Sequence, residues 1–111
     1  MRFTSAPWGP PQTIEVVAHG IYLVETASHG GFFLDTERNA KVPDYFKTAS
    51  FIRMGESGWY EEDVSWALAA LVYPDDFAAK LGAQTVSYAR QIACRAYPDE
   101  FDRFCPILRA G

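Results

Sequence analysis

Positive charge is in short supply in this chain: 10 Lys and Arg stand against 14 Asp and Glu in 111 residues, a formal net charge of −4. A protein that holds nucleic acid without sequence preference needs a basic stripe, so direct nucleic-acid binding is not expected. Cysteine is scarce as well. Cys94 and Cys105 have neither CxxC spacing nor a His cluster beside them, which favours reduced thiols over a disulfide or a zinc site. No apolar run approaches the roughly 20 residues that span a bilayer, and the stretch from Met1 to Trp8 lacks the apolar centre of a signal peptide. No membrane contact and a cytoplasmic location are the expectations. P-loop, GxGxxG, GxSxG and HExxH patterns are all missing, so no cofactor and no metal are expected.

Apolar residues, by contrast, are plentiful. Hydrophobic side chains make up 49% and aromatic ones 15% of the chain, which excludes disorder over most of it. The length suits one domain with its own core. Residues 1–12 form a Pro/Gly-rich arm carrying Trp8, a side chain large enough to be drawn back onto the core. Residues 13–58 are sheet-rich. Strands are expected at roughly Thr13 to Val17, Ile21 to Thr26 and Phe32 to Leu34, all β-branched or aromatic in character. Ala18-His19-Gly20 and Ser28-His29-Gly30-Gly31 supply the connecting turns. Apolar residues fall on both faces of the second strand, so helices should cover one face and another element part of the second. Ser50 to Met54 is expected to add an edge strand.

Residues 59–111 read as helical. Gly58-Trp59-Tyr60-Glu61-Glu62-Asp63-Val64-Ser65-Trp66 leads into an almost wholly apolar stretch that ends at Tyr73. A helix apolar all round is buried, so a central helix starting at Glu61 is expected. Tyr73-Pro74-Asp75-Asp76-Phe77 recurs 24 residues later as Tyr97-Pro98-Asp99-Glu100-Phe101. Pro and acids suit a helix N-terminus, where a missing N–H costs nothing and carboxylates oppose the dipole. Both copies are therefore helix-to-helix corners. Between them, Ala83 to Ala96 is two-sided: Val86, Tyr88, Ala89, Ile92, Ala93 and Ala96 form a packing face. Cys94 lies with Arg90, Gln91 and Arg95 on the opposite one and is expected at the surface. The fold class is α+β, an N-terminal antiparallel sheet of three or four strands packed against a helical half with a buried central helix.

Chemistry is carried by few residues. Most acids after Gly58, Glu61, Glu62 and Asp63 among them, sit where first helical turns are expected, and dipole compensation accounts for them without function. His29 is the one imidazole that the turn Ser28 to Gly31 can set near Glu61, Glu62 or Asp63. Such a group, His29 with one of the three carboxylates, is a candidate acid–base or metal-holding site. An ordinary turn histidine competes with that reading, because no motif supports the geometry.

Pro7-Trp8-Gly9, Ser28-His29-Gly30-Gly31, Arg38-Asn39 before Pro43, the Gly58 to Ala67 segment and Tyr97-Pro98-Asp99 occur in this order. In this the chain resembles a domain of unknown function found in proteins of proteobacterial plasmids, prophages and other mobile elements. The SHGG and GWYEED segments are its specific parts. The resemblance implies a small protein that acts on a host defence system, of anti-CRISPR or anti-restriction type, by binding a host protein or protein–nucleic-acid complex. It implies no catalytic residue. The surface expected to meet the partner combines His29 with Trp59, Tyr60, Glu61 and Glu62, since aromatics dominate interface energetics and acids steer basic partners.

Overall fold

Glycine and proline set the turns on which this fold is hung. A computed structural model describes residues 5–105. Strand β1 (Thr13–Ala18) turns through His19 and Gly20, whose φ of 83° suits a glycine, into β2 (Ile21–Glu25). β3 (Gly30–Leu34) follows antiparallel to β2, as expected of a meander. The sheet is completed by β4 (Trp59–Glu61), which pairs with β3 through Gly31–Glu61, Phe32–Tyr60 and Phe33–Trp59.

The fourth strand is not the one expected. Ser50 to Met54 forms no strand. Phe51–Ser57 is a 3-10 segment, broken at Ile52 and Arg53 by left-handed backbones. Ser50 closes it locally: its hydroxyl donates to the Lys47 carbonyl at 2.8 Å and accepts the Gly55 N–H at 2.6 Å. Gly58, at φ 92°, then reverses the chain, and its carbonyl accepts the Leu34 N–H at 2.8 Å. That bond delivers Trp59 to the edge of β3.

Between the third and fourth strands lie α1 (Thr36–Ala40) and α2 (Asp44–Ala49). Asp35 caps α1 by accepting the Arg38 N–H, as its position before Thr36 predicts. The Arg38 side chain ties the halves of the domain together. It donates to Asp76 and to the His19 carbonyl, each at 2.8 Å, and lies over the Tyr73 ring.

The central helix, α3, spans Trp66–Val72, five residues later than expected, and Trp66 to Leu71 are all buried. Pro74 and Pro98 open α4 (Pro74–Leu81) and α6 (Pro98–Phe104) with two acids in each first turn, so both corners form as read. α5 (Ala83–Ala96) lies between them and buries Val86, Ala89 and Ala93. Ala96 is exposed and departs from the expected packing face, and so does Tyr88. It is largely exposed, its ring 6.1 Å from that of Trp66.

The core sits between the sheet and the helices. Ile21, Phe32, Leu34 and Tyr60 meet Leu68, Phe77 and the alanines of α3, with Phe32 and Phe77 ring centroids 4.9 Å apart. Phe46 of α2 meets Phe104 of α6 at 4.9 Å, which seats the last helix. Among the described residues no helix is long and apolar enough to cross a membrane.

Cys94 is half-buried and packs against the core, where the helical wheel placed it at the surface. Cys105 is also half-buried, and burial pushes its thiol pKa up, with Arg90 pulling partly the other way. Both thiols should label about tenfold or more slowly in the native protein than after denaturation. Mass spectrometry after timed alkylation measures this; equal native and denatured rates at Cys94 would place it outside the packed shell.

Candidate functional site

The site is built on the sheet face that the helices leave open. Side chains alternate along a strand, so Phe33 and Trp59 point away from the core while Phe32 and Tyr60 point into it. Trp8 of the N-terminal arm lies over part of this outer face. Trp8 meets Trp59 edge-on at 5.5 Å, and Trp59 meets Phe33 at 4.8 Å. The Trp8 carbonyl accepts the Ser28 hydroxyl at 3.2 Å, which ties the arm to the SHGG turn. Gly31 is required beneath it. A Cβ there would run into Trp8 Cη2, the Tyr60 carbonyl oxygen and Glu61 Cα.

At the end of β4 the chain makes a second local device. The Glu61 carboxylate accepts the backbone N–H groups of Asp63, Val64 (3.1 Å) and Ser65 (2.6 Å). Its own N–H donates to Ser65 Oγ at 2.8 Å. This reciprocal bonding gathers residues 62–65 into a turn and hands the chain to α3. It explains why three acids at an apparent helix start do not begin the helix. Glu61 ends a strand, and its side chain satisfies the donors ahead of the helix.

Next to this turn is a pocket of about 200 Å3 lined by Trp8, His29, Gly30, Phe51, Glu61, Glu62, Asp63 and Val64. The structure therefore brings His29 and the three carboxylates to one concavity. It does not pair them: among the described residues no hydrogen bond or ion pair joins His29 to a carboxylate. Nor does any group of three or more His, Cys, Asp and Glu side chains there stand close enough to hold a metal ion. Glu61 is only 7% exposed, and its oxygens are taken up by backbone donors. The groups left at the mouth are His29, Glu62 and Asp63, all exposed; the nearby Ser28 hydroxyl is turned to the Trp8 carbonyl.

Besides the buried Glu61, two more of the residues expected at a partner surface, Tyr60 and Trp59, are placed elsewhere. Tyr60 is fully buried, and its hydroxyl donates to Asn39 Oδ1 at 2.7 Å. Burial, with a smaller push from Tyr73, raises its pKa far above the ordinary tyrosine value. Trp59 is half-buried between Trp8 and Phe33 and does not line the pocket. Tyr97, which senses Glu61 and Glu100, is pushed up to about 12, mainly by burial.

Phe51, Ile52 and Val64 are the residues that sequence reasoning passed over. Phe51 and Val64 line the pocket, and Ile52 stands beside Phe51, 76% exposed. Their signal was two bulky apolar residues between Ser50 and Arg53, which also suits an edge strand.

The family of a domain of unknown function, DUF7007, matches residues 2–110. The chain belongs to this family. No curated protein and no solved structure matches it. In this DUF7007 domain the SHGG and GWYEED segments thus have structural work at Gly31, Tyr60 and Glu61, and leave His29, Glu62 and Asp63 unspent.

Proposed function

We propose that this domain is a non-enzymatic protein-binding module. In the mobile-element setting that the resemblance implies, it inhibits a host defence system of anti-CRISPR or anti-restriction type. The observation that carries the binding reading is the loop at Phe51 and Ile52. Ile52 and Arg53 hold φ of 51° and 57°, a conformation that a β-branched residue adopts only at a cost of about 1–2 kcal/mol. Strain of this kind concentrates at functional segments. Here it holds out Phe51 and Ile52, 56% and 76% exposed, beside an apolar pocket. Exposed apolar side chains next to a pocket are what an interface core requires. The acids at the rim favour a basic, nucleic-acid-handling partner by steering its approach.

The test is affinity capture from the source cell with the wild type, a Phe51→Ser/Ile52→Ser variant and a Glu62→Arg variant. Tyr60 is left alone because its loss would damage the core. The same protein should be recovered by the wild type and depleted about tenfold or more with each variant, the loss that removing interface anchors brings. Undiminished recovery by both variants would eliminate this surface, and turnover of a small molecule with no captured partner would eliminate the binding reading.

A further inference from the structure

Building on the protein-binding reading, we propose that the pocket beside Phe51 receives an arginine side chain of the partner. Size is the first argument. At about 200 Å3 the pocket is smaller than the roughly 300–1,000 Å3 of sites for drug-sized ligands, and it suits one long side chain. Charge is the second. No Lys or Arg lines it, whereas Glu61, Glu62 and Asp63 all do. Glu61 is committed to backbone donors. Among the described residues the side chains of Glu62 and Asp63 accept no hydrogen bond and join no ion pair, so both are available at the mouth. A phosphate or carboxylate would meet two carboxylates there, with the His29 imidazole the one ionisable side chain of the lining able to donate to it.

The walls decide between cations. Trp8, Phe51 and Val64 make most of the lining apolar, with two aromatic rings among them. An ammonium is compact and strongly hydrated, so an apolar wall costs it water. A guanidinium is planar and weakly hydrated, packs on aromatic surfaces, and can donate in parallel to a carboxylate. Its methylenes would lie along Val64 and Phe51 while its head reaches Glu62 and Asp63. The strained loop fits this account, because it sets Phe51 as one wall and leaves Ile52 to meet the surface around the inserted side chain.

The experiment is an NMR titration of the folded, isotope-labelled protein with Nα-acetyl-argininamide. The matching citrulline amide, its uncharged isostere, and the lysine amide serve as comparisons. The arginine amide should shift the Trp8 indole N–H and the Gly30 and Val64 amides saturably, with a millimolar midpoint, as befits so small a ligand. Citrulline amide should bind at least about tenfold more weakly, and lysine amide should fall between. A Glu62→Gln/Asp63→Asn variant, whose spectrum reports whether it is folded, should lose about tenfold in affinity for the arginine amide and bind the uncharged citrulline amide as the wild type does. Equal responses to arginine and citrulline amides, or no shift at these three positions, would overturn the arginine pocket. In that event, capture that still depends on Phe51 and Ile52 leaves the binding surface in place. Arginine binding with capture indifferent to those residues would preserve the pocket and remove the surface.

Discussion

Replacing Glu61 by alanine should destabilise the domain by about 3–4 kcal/mol, with a melting point lower by roughly 10–20 °C. The carboxylate accepts the N–H groups of Asp63, Val64 and Ser65, and Ser65 is fully buried. Alanine leaves those donors without a partner, and water reaches the Ser65 amide least. The Glu61 N–H keeps its bond to Ser65 Oγ only if the turn holds its shape. Loss of the turn would loosen both β4 and the start of α3. Glu61→Gln keeps one acceptor oxygen but turns an NH2 group towards the donors, so a smaller loss of about 1–2 kcal/mol is expected. Denaturant unfolding of both variants checks this. An alanine variant within about 0.5 kcal/mol of wild type, the range of ordinary surface substitutions, would mean that Glu61 is no anchor of the turn.

Gly31→Val should cost about 3 kcal/mol, at the upper end of overpacking. Two of the three atoms that a Cβ would meet belong to backbone, the Tyr60 carbonyl oxygen and Glu61 Cα. Neither can move without breaking the β3–β4 pairing. The third, Trp8 Cη2, belongs to the arm and can swing away. Trp8→Ala combined with Gly31→Ala should therefore recover only part of the stability lost by Gly31→Ala alone. Full recovery would show that the ring, and not the strand pairing, sets the requirement. By contrast, Gly30 tolerates more, since the nearest atom to a Cβ there is the end of the Glu62 side chain at 3.0 Å.

What could be read from the sequence was whatever is decided locally. The meander and the two Tyr-Pro-acid corners each depend on a few adjacent residues. All of them formed where turn chemistry put them. The errors lie where one side-chain bond overrides composition or where a distant partner decides. Ser50 to Met54 has the composition of a strand, yet Ser50 bonds to Gly55 and Lys47 and winds it into a 3-10 segment. Trp59–Glu61 is too short to show a period of two, and it becomes a strand because Gly58 and Leu34 lead it to β3. That pairing turns Tyr60 inward, although its acidic neighbours suggested a surface. The apolar length of α3 was legible because burial on all sides needs no partner to be named. Of the site, the approach of His29 to Glu62 and Asp63 was legible as a possibility of the turn. Phe51 and Ile52 were not, because left-handed backbone at a β-branched residue leaves no mark in composition.

Photo-crosslinking from the exposed loop shows whether a partner protein seats on Phe51 and Ile52. A benzophenone-bearing phenylalanine analogue takes the place of Phe51 in one sample and of Glu37, exposed on α1 and outside the pocket, in another. Both proteins are irradiated in the source cell. One discrete protein adduct is expected from position 51, no such adduct from position 37, and loss of the first when Glu62 and Asp63 are both replaced by arginine. The same adducts from both positions, or none from position 51, would contradict a partner seated on this loop.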